Sequence, residues 1–396
     1  IGDVLQAQGD GAGAERAYRD GLSIAERLAA SDPTNAGWQR DLSVSWDKIG
    51  NVLQVQGDGA GAERAYRDGF AIRERLAALD PTNAEWQRDL SLSWNKIGDV
   101  LKAQGDGAGA ERAYRDGLAI RERLAASDPT NAEWQRDLSI SWEKIGNVLQ
   151  AQGDGAGAER AYRDGLAIRE RLAALDPTNA EWQRDLSVSW NKIGDVLESQ
   201  GDGAGAERAY RDGLSIAERL AASDPTNAGW QRDLSVSWDK VGNVLQAQGD
   251  GAGAERAYLD GLAIRERLAA SDPTNAGWQR DLSVSWNKIG NVLQAQGDGA
   301  GAERAYLDGL AIRERLAASD PTNAGWQRDL SVSYTRLATI ALVAGDLSSA
   351  LAHLKANLAI AQRLAALDPT NAEWQADLET SKKSIAMVRA EIEAAA

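Results

Sequence analysis

Apolar and polar positions recur along this chain with two nested periods. The short one is helical. Trp38, Leu42, Trp46, Ile49 and Leu53 fall at steps of four, four, three and four, which is one face of a 3.6-residue helix. A second run, Ala62, Ala65, Tyr66, Gly69, Phe70 and Leu76, shares a face in the same way. The long period is 48 residues: the stretch Trp38 to Glu85 restarts at Trp86, Trp134, Trp182, Trp230 and Trp278. A divergent copy begins at Trp326 and a truncated one at Trp374. A repeat of this length marks a stacked array rather than a set of independent globular domains.

Local chemistry sets the ends of each run. Asn35, after Pro33, caps the first helix by accepting an orphan backbone N–H. Gln56-Gly57 closes it, glycine being suited to the left-handed residue that ends many helices. Asp58 caps the second helix and puts negative charge at the positive end of its dipole. Asp80-Pro81 stops it, because the residue before a proline avoids helical angles. The predicted unit is a hairpin of two helices of about 20 residues each. Its one-sided apolar face must be buried by neighbouring hairpins. Gly50 and Gly69 recur inside these helices, where glycine costs about 1 kcal/mol relative to alanine. They are therefore expected where two helices approach closely, and Ala338, also small, takes the Gly50 place in the seventh unit.

The run Trp46-x2-Ile49-Gly50-x2-Leu53, then Ala62-x3-Tyr66, then Pro81, resembles the tetratricopeptide repeat (TPR) signature, whose period is about 34 residues. Here each helix is longer by one heptad, which lengthens the apolar stripe without rotating it away. Gly69 stands where the family usually has alanine, and Gly59 where it often has a large residue. The resemblance implies an all-α fold, a TPR-like α-solenoid built as a right-handed superhelix of antiparallel helix pairs. It implies first helices lining a concave groove, a role in protein–protein interaction, and no enzyme activity. Units of the form DPTNAxWQRDLSVS are also similar to those of large bacterial signalling or defence proteins, where such arrays accompany nucleotide-binding, caspase-like or TIR effector domains. That similarity implies a cytoplasmic sensor or regulatory arm, by analogy of fold.

Composition narrows the partners. The chain has 396 residues, 44 basic and 59 acidic, for a net charge of −15, which argues against nucleic acid, a ligand that demands a basic footprint. No run of about 18 apolar residues is present to span a membrane, and there is no signal-peptide pattern. Cysteine is absent, which excludes disulfides and thiolate metal sites and fits a reducing compartment. The 14 tryptophans are used two per repeat and are expected to be core anchors.

The chain is organised as one array. Residues 1–37 form a truncated first repeat, with Ile1-Gly2 matching Ile49-Gly50, and the chain is expected to be a piece of a longer protein. Residues 38–325 are six near-identical repeats, and 326–373 a divergent one with Tyr334 for Trp and Arg336-Leu337-Ala338 for Lys-Ile-Gly. Residues 374–396, more polar through Lys382, Lys383, Arg389, Glu391 and Glu393, are expected to cap the array, since terminal repeats meet water on one face.

No catalytic constellation emerges. The single histidine, His353, is isolated, and carboxylates such as Asp239 and Asp250 recur as caps or solvated faces. Gly57-Asp58-Gly59-Ala60-Gly61 precedes a helix, as phosphate loops do, but lacks the Lys-Ser/Thr of a P-loop, and Asp58 repels phosphate. No cofactor or metal is expected.

Differences between repeats are more informative. Asp47 becomes Asn95, Glu143, Asn191, Asp239 and Asn287; Asn51 becomes Asp99, Asn147, Asp195, Asn243 and Asn291; Gln54 becomes Lys102, Gln150, Glu198, Gln246 and Gln294. Steps of four and three put these on one stripe of the first helix. Lys48, Lys96, Lys144, Lys192, Lys240 and Lys288 stand beside it, and it extends back to Val44, Leu92, Ile140, Val188 and Arg40. The resemblance places ligand-contacting positions on this stripe, so a protein or peptide held in the groove is the expected partner. The same variation also fits a solvated face that drifts freely. The rival functions are a self-assembling structural solenoid and a designed or consensus-like repeat protein without a natural ligand. On the outer face, Arg67, Arg115, Arg163 and Arg211 give way to Leu259 and Leu307, all expected to point outward.

If stability is a sum of unit and nearest-neighbour terms, in-frame excision of residues 134–181 leaves a soluble helical protein one repeat shorter. Circular dichroism checks this, and a collapse of the helical signal would reveal a single indivisible core.

Overall fold

The computed structural model describes residues 1–7 and 10–395, and among these it contains seventeen helices and no strand. They fall into two compact units, Ile1–Asp202 and Gly203–Ala396. The first holds α1 (Gly2–Ala7), α2 (Gly11–Ser31), α3 (Ala36–Val55), α4 (Gly59–Leu79), α5 (Ala84–Ala103), α6 (Gly107–Ser127), α7 (Ala132–Ala151), α8 (Gly155–Leu175) and α9 (Ala180–Ser199). The second holds α10 (Gly203–Ser223), α11 (Ala228–Ala247), α12 (Gly251–Ser271), α13 (Ala276–Ala295), α14 (Gly299–Ser319), α15 (Ala324–Val343), α16 (Leu347–Leu367) and α17 (Ala372–Ala395). Within each unit every helix packs on the next, in the manner of a TPR-like α-solenoid of antiparallel pairs. No helix among the described residues is long and apolar enough to cross a membrane.

The helix ends follow the local chemistry. Asn35 Oδ1 accepts from the Trp38 N–H at 3.1 Å, and Asp58 Oδ1 from the Gly61 N–H at 2.8 Å. Gly57 has φ +83°, a region that side chains disfavour. In the turn to the next hairpin, Asp80 Oδ1 accepts from Thr82 N at 2.9 Å and Thr82 Oγ1 at 2.6 Å. Those two bonds hold the Asp80 carboxyl below the usual carboxylate range.

Each hairpin closes on one contact. A Cβ added to Gly50 would lie 2.6 Å from Cδ1 of Tyr66, so the glycine exists to let the ring of α4 lie on the backbone of α3. Gly69 works from the other side, its missing Cβ facing Ser43 O at 3.0 Å and Trp46 Cβ at 3.3 Å. The seventh repeat changes both partners at once. Ala338 replaces the glycine where Leu354 replaces the tyrosine, and both are buried.

Within each unit successive hairpins join through apolar clusters. Ala62, Tyr66, Ile97, Val100 and Ala113 form one buried cluster, so α5 packs into the ring and small residues of α4. At the other end of the chain, Ile385 and Val388 of α17 cover Ala338 and Leu354. The tryptophans differ from expectation. All fourteen are half-buried rather than core, and the fully buried aromatic is tyrosine, with Tyr66 0% exposed. An indole is rarely covered on every side. Here it seals the margin of a cluster, as Trp94 does against Phe70, edge to face with ring centroids 4.5 Å apart.

Candidate functional site

The stripe on the first helices is built into two polar networks that tie neighbouring hairpins together within each unit. The first centres on an arginine that the sequence pattern had not singled out. Arg73 of α4 is buried. Its Nη2 lies 2.8 Å from Asp47 Oδ2, its Nε donates to Ser43 Oγ at 3.0 Å, and its Nη1 donates to Ser93 Oγ of α5 at 2.7 Å. One guanidinium therefore bridges three helices, two in its own hairpin and one in the next. Arg169 repeats this with Glu143 at 2.7 Å and with Ser139 and Ser189, and Arg265 with Asp239 at 2.7 Å. Beside Asn95 and Asn287 the corresponding Arg121 and Arg313 bond serine hydroxyls and a backbone carbonyl. Arg121, only 2% exposed, donates to Ser91 Oγ, Ser141 Oγ and Asp137 O, and Arg313 to Ser283 Oγ, Ser333 Oγ and Asp329 O.

Burial dominates the electrostatics here. It pushes the Asp47 carboxyl up against the pull of Arg73, and the second oxygen, Oδ1, is buried with no hydrogen-bond partner. It pulls the Arg121 and Arg313 guanidiniums down. Arginine suits such a place because its planar fork delivers several donors in fixed directions and it is weakly hydrated. The divergent repeat dissolves the network. Ala361 takes the arginine place, and Asn357 instead accepts from Ser331 Oγ at 2.8 Å and donates to Thr335 Oγ1 at 2.7 Å.

The second network surrounds the buried tyrosine. Tyr66 Oη donates toward Asn51 Oδ1 at 2.9 Å and Gln54 Oε1 at 3.0 Å. Lys96, from the following hairpin, donates to the same Asn51 Oδ1 at 2.8 Å and lies 5.7 Å over the Tyr66 ring. The arrangement recurs with a carboxylate in the next repeat, where Lys144 reaches Asp99 at 2.6 Å and Tyr114 donates to Asp99 at 2.7 Å. Lys48 pairs with Asp3 at 2.6 Å and lies over Tyr18; Lys288 bonds Asn243 at 3.1 Å over Tyr258; Lys240 lies over Tyr210. Asn147 accepts from Tyr162, and Asn291 from Tyr306. Burial raises the Tyr66 and Tyr114 hydroxyls well above the ordinary tyrosine range and lowers the Lys288 ammonium against the pull of Asp239.

The remaining stripe residues divide by depth. Asn191, Lys192, Asp195 and Glu198 are half-buried on α9, with Lys192 lining a small cleft beside Glu143, Tyr162 and Arg169. Gln54 and Lys102 are exposed at the ends of their helices. Beside the stripe lie exposed aliphatic residues: Val44, 41% exposed, and Leu92 in the first unit, Val236 and Val332 in the second. A ladder of ion pairs flanks them. Arg40 of α3 meets Asp89 of α5 at 2.5 Å and Glu85 at 2.7 Å, and Arg88 and Arg136 repeat the step to Asp137 and Asp185. On the second helices Arg67 is exposed and pairs with Glu63 at 2.8 Å, and Leu259 and Leu307 are exposed as well.

Nothing in this arrangement pairs a nucleophile with a base. The described residues hold no group of three or more His, Asp or Glu placed to bind a metal ion. Gly57 to Gly61 is a turn and cap whose backbone N–H at Gly61 is already given to Asp58. His353 lies 6.1 Å from the ring of Tyr334.

The molecule is thus of the stacked helical-hairpin class, which presents surface rather than reactive groups. The family model described as Tetratricopeptide repeat matches residues 47–80, 93–129, 143–176, 239–273 and 285–321, and the chain belongs to the tetratricopeptide repeat family. That makes it a protein-interaction scaffold in the general sense, on a fold that is generally non-enzymatic. Among solved structures it is similar to the apo form of RapI, at 11% identity and TM-score 0.58, over 99% of this chain and 94% of that one. It is also similar to BtubC (BKLC) from P. vanneervenii, at 19% identity and TM-score 0.51, over 64% of this chain and 90% of that one. At these identities the likeness establishes the fold. No curated protein matches the chain.

Removing one side of a buried ion pair strands the other. Arg73→Ala is expected to destabilise the α3–α5 region by about 3–5 kcal/mol, whereas Asp47→Asn, which copies Asn95 and Asn287, costs about 1 kcal/mol or less. The double variant is expected to be more stable than Arg73→Ala alone. Amide exchange of α3 to α5 measures all three, and additive losses would show that the pair is uncoupled.

Proposed function

We propose that the chain recognises a protein or peptide partner along the face made by its first helices. The observation that carries this reading is the aliphatic row, one residue per repeat, of which Val44 and Leu92 are exposed between the Arg40–Asp89 type of ion pair and the lysine stripe. Much of the polarity of Asp47, Asn95, Glu143, Asn51 and Asp99 is spent inside the array. On this reading those residues fix the spacing at which Val44, Leu92, Ile140 and Val188 are offered. Lys48, Gln54 and Lys102 keep solvent-facing area for polar contacts at the margin. Single exposed ion pairs contribute only about 0–1 kcal/mol, so specificity comes from several repeats engaged at once. Within a larger bacterial signalling protein such a face would serve as the sensing arm, a role supported by the likeness of its DPTNAxWQRDLSVS units.

The test uses a partner captured from the source cell. Changing Val44, Leu92 and Ile140 together to Ser should weaken its binding at least tenfold, about 1.4 kcal/mol, with melting unchanged. The matched change of Arg67, Arg115 and Arg163 to Ala on the second helices should leave affinity as it was. The opposite result would move the recognition surface to the second helices.

A further inference from the structure

Away from the first-helix face, one edge of each unit carries a feature that neither network uses. In the first unit a cleft of about 610 Å³ opens between the Pro81-Thr82 turn and the end of α6, floored by Ile120 and Leu124 and rimmed by Arg123 and Ser127. In the second unit the same eight positions, with identical residue types, line a cleft of about 320 Å³: Pro273, Thr274, Ile312, Leu316, Arg315 and Ser319 are the counterparts. Both lie in the size range of clefts that bury a small ligand group, about 300–1,000 Å³. The serine turns its hydroxyl back to its own helix in each case, Ser127 to Leu124 O and Ser319 to Leu316 O, both at 2.7 Å. Neither Arg123 nor Arg315 is ion-paired among the described residues.

One repeat further along, the serine position becomes leucine. Leu175 follows Ser127 by 48 residues and Leu367 follows Ser319 by the same interval. They are 70% and 60% exposed. Each is followed at once by the carboxylate of a turn, Asp176 or Asp368. A single exposed leucine is ordinary. Leu79-Asp80, its leucine 76% exposed, is a third such element and directly precedes the Pro81-Thr82 turn of the first cleft. Exposed leucines each joined to an aspartate, next in sequence or in repeat to an apolar cleft rimmed by an arginine without an ion pair, in both units, are not explained that way.

We propose that the occupant of these clefts is a second copy of this chain: the Leu-Asp element of one molecule enters the Ile-Leu-Arg cleft of the other, and the reverse. The edge is self-complementary in shape, a knob beside a hole, and in charge, a carboxylate beside a guanidinium. That is the requirement for an isologous contact, in which the same patch serves on both subunits. Leucine fills the apolar floor and the aspartate meets the arginine at the rim, where charge fixes orientation and register more than it adds affinity.

Sedimentation velocity of the full chain across a concentration series tests this. A reversible monomer–dimer equilibrium is expected. Leu79→Ser, Leu175→Ser and Leu367→Ser together should raise its dissociation constant at least tenfold, and so should Arg123→Glu with Arg315→Glu, which reverses the charge at the rims instead of removing the knobs. Serine is the residue that the chain already places at this position in other repeats, and Arg123 and Arg315 hold no ion pair among the described residues, so helical circular dichroism should be unchanged in both variants. A monomer at every concentration overturns the proposal, as does a dimer that neither set of substitutions weakens. A chain that stays monomeric while a foreign Leu-Asp peptide occupies the clefts also overturns it, by assigning them to another protein.

Discussion

The ring of Tyr66 lies on the backbone of Gly50, and much of the repeat depends on that contact. A tyrosine held this close to the first helix buries its ring completely and places its hydroxyl beside positions 51 and 54. The hydroxyl must then be hydrogen-bonded, because an unsatisfied polar group in that position costs about 1–3 kcal/mol. The partners it finds, Asn51 in one repeat and Asp99 in the next, also accept from a lysine of the following hairpin. One steric fit thereby becomes a link between neighbours, repeated at Tyr114 and Gly98, Tyr162 and Gly146, and Tyr258 and Gly242. Where the tyrosine is lost, at Leu354, the glycine is lost with it, at Ala338.

The buried arginine is the second link, and it answers a different need. Long helices stacked on alanine and glycine have little apolar bulk between them. A guanidinium with several fixed donors fills that space while satisfying two serine hydroxyls from adjacent hairpins. Desolvating such a charge is expensive, which explains why Arg73, Arg121, Arg169 and Arg313 are each met by several oxygen acceptors, while Arg265 keeps Ser285 and Asp239. Taken together, the two links make the first-helix face a firm support whose polar atoms are largely committed inward. The aliphatic row and the ion-pair ladder are what that support holds out to solvent.

The hairpins, their caps and the Gly57 turn were legible in the sequence because they follow from short-range rules: helical spacing, capping oxygens and a left-handed residue. The close approach at Gly50 was legible too, since a glycine kept inside a helix needs a reason. The arginine was harder, although its signal was present. Position 73 falls between Gly69 and Leu76 at steps of four and three, on the apolar face, and its counterparts at 25, 217 and 361 are alanine. Alternation of arginine with alanine on a buried face says that the site accepts bulk or nothing, not that it wants a solvated charge. The tryptophans were misread because their number suggested a core, whereas size keeps an indole at its margin. The Arg40–Asp89 ladder and the lysine over each tyrosine lie beyond sequence patterns, since they join residues 45 to 49 apart that meet only once hairpins stack.

The glycine inside the first helix is there for the ring. Gly98→Ala should therefore lower the melting temperature, by the equivalent of about 1–3 kcal/mol for an overpacked core, even though alanine is the better helix former by about 1 kcal/mol. Adding Tyr114→Leu, to copy Ala338 and Leu354, should recover most of the loss. A Gly98→Ala protein that melts at or above the parent, or a double variant whose losses simply add, would show that the ring does not require the glycine.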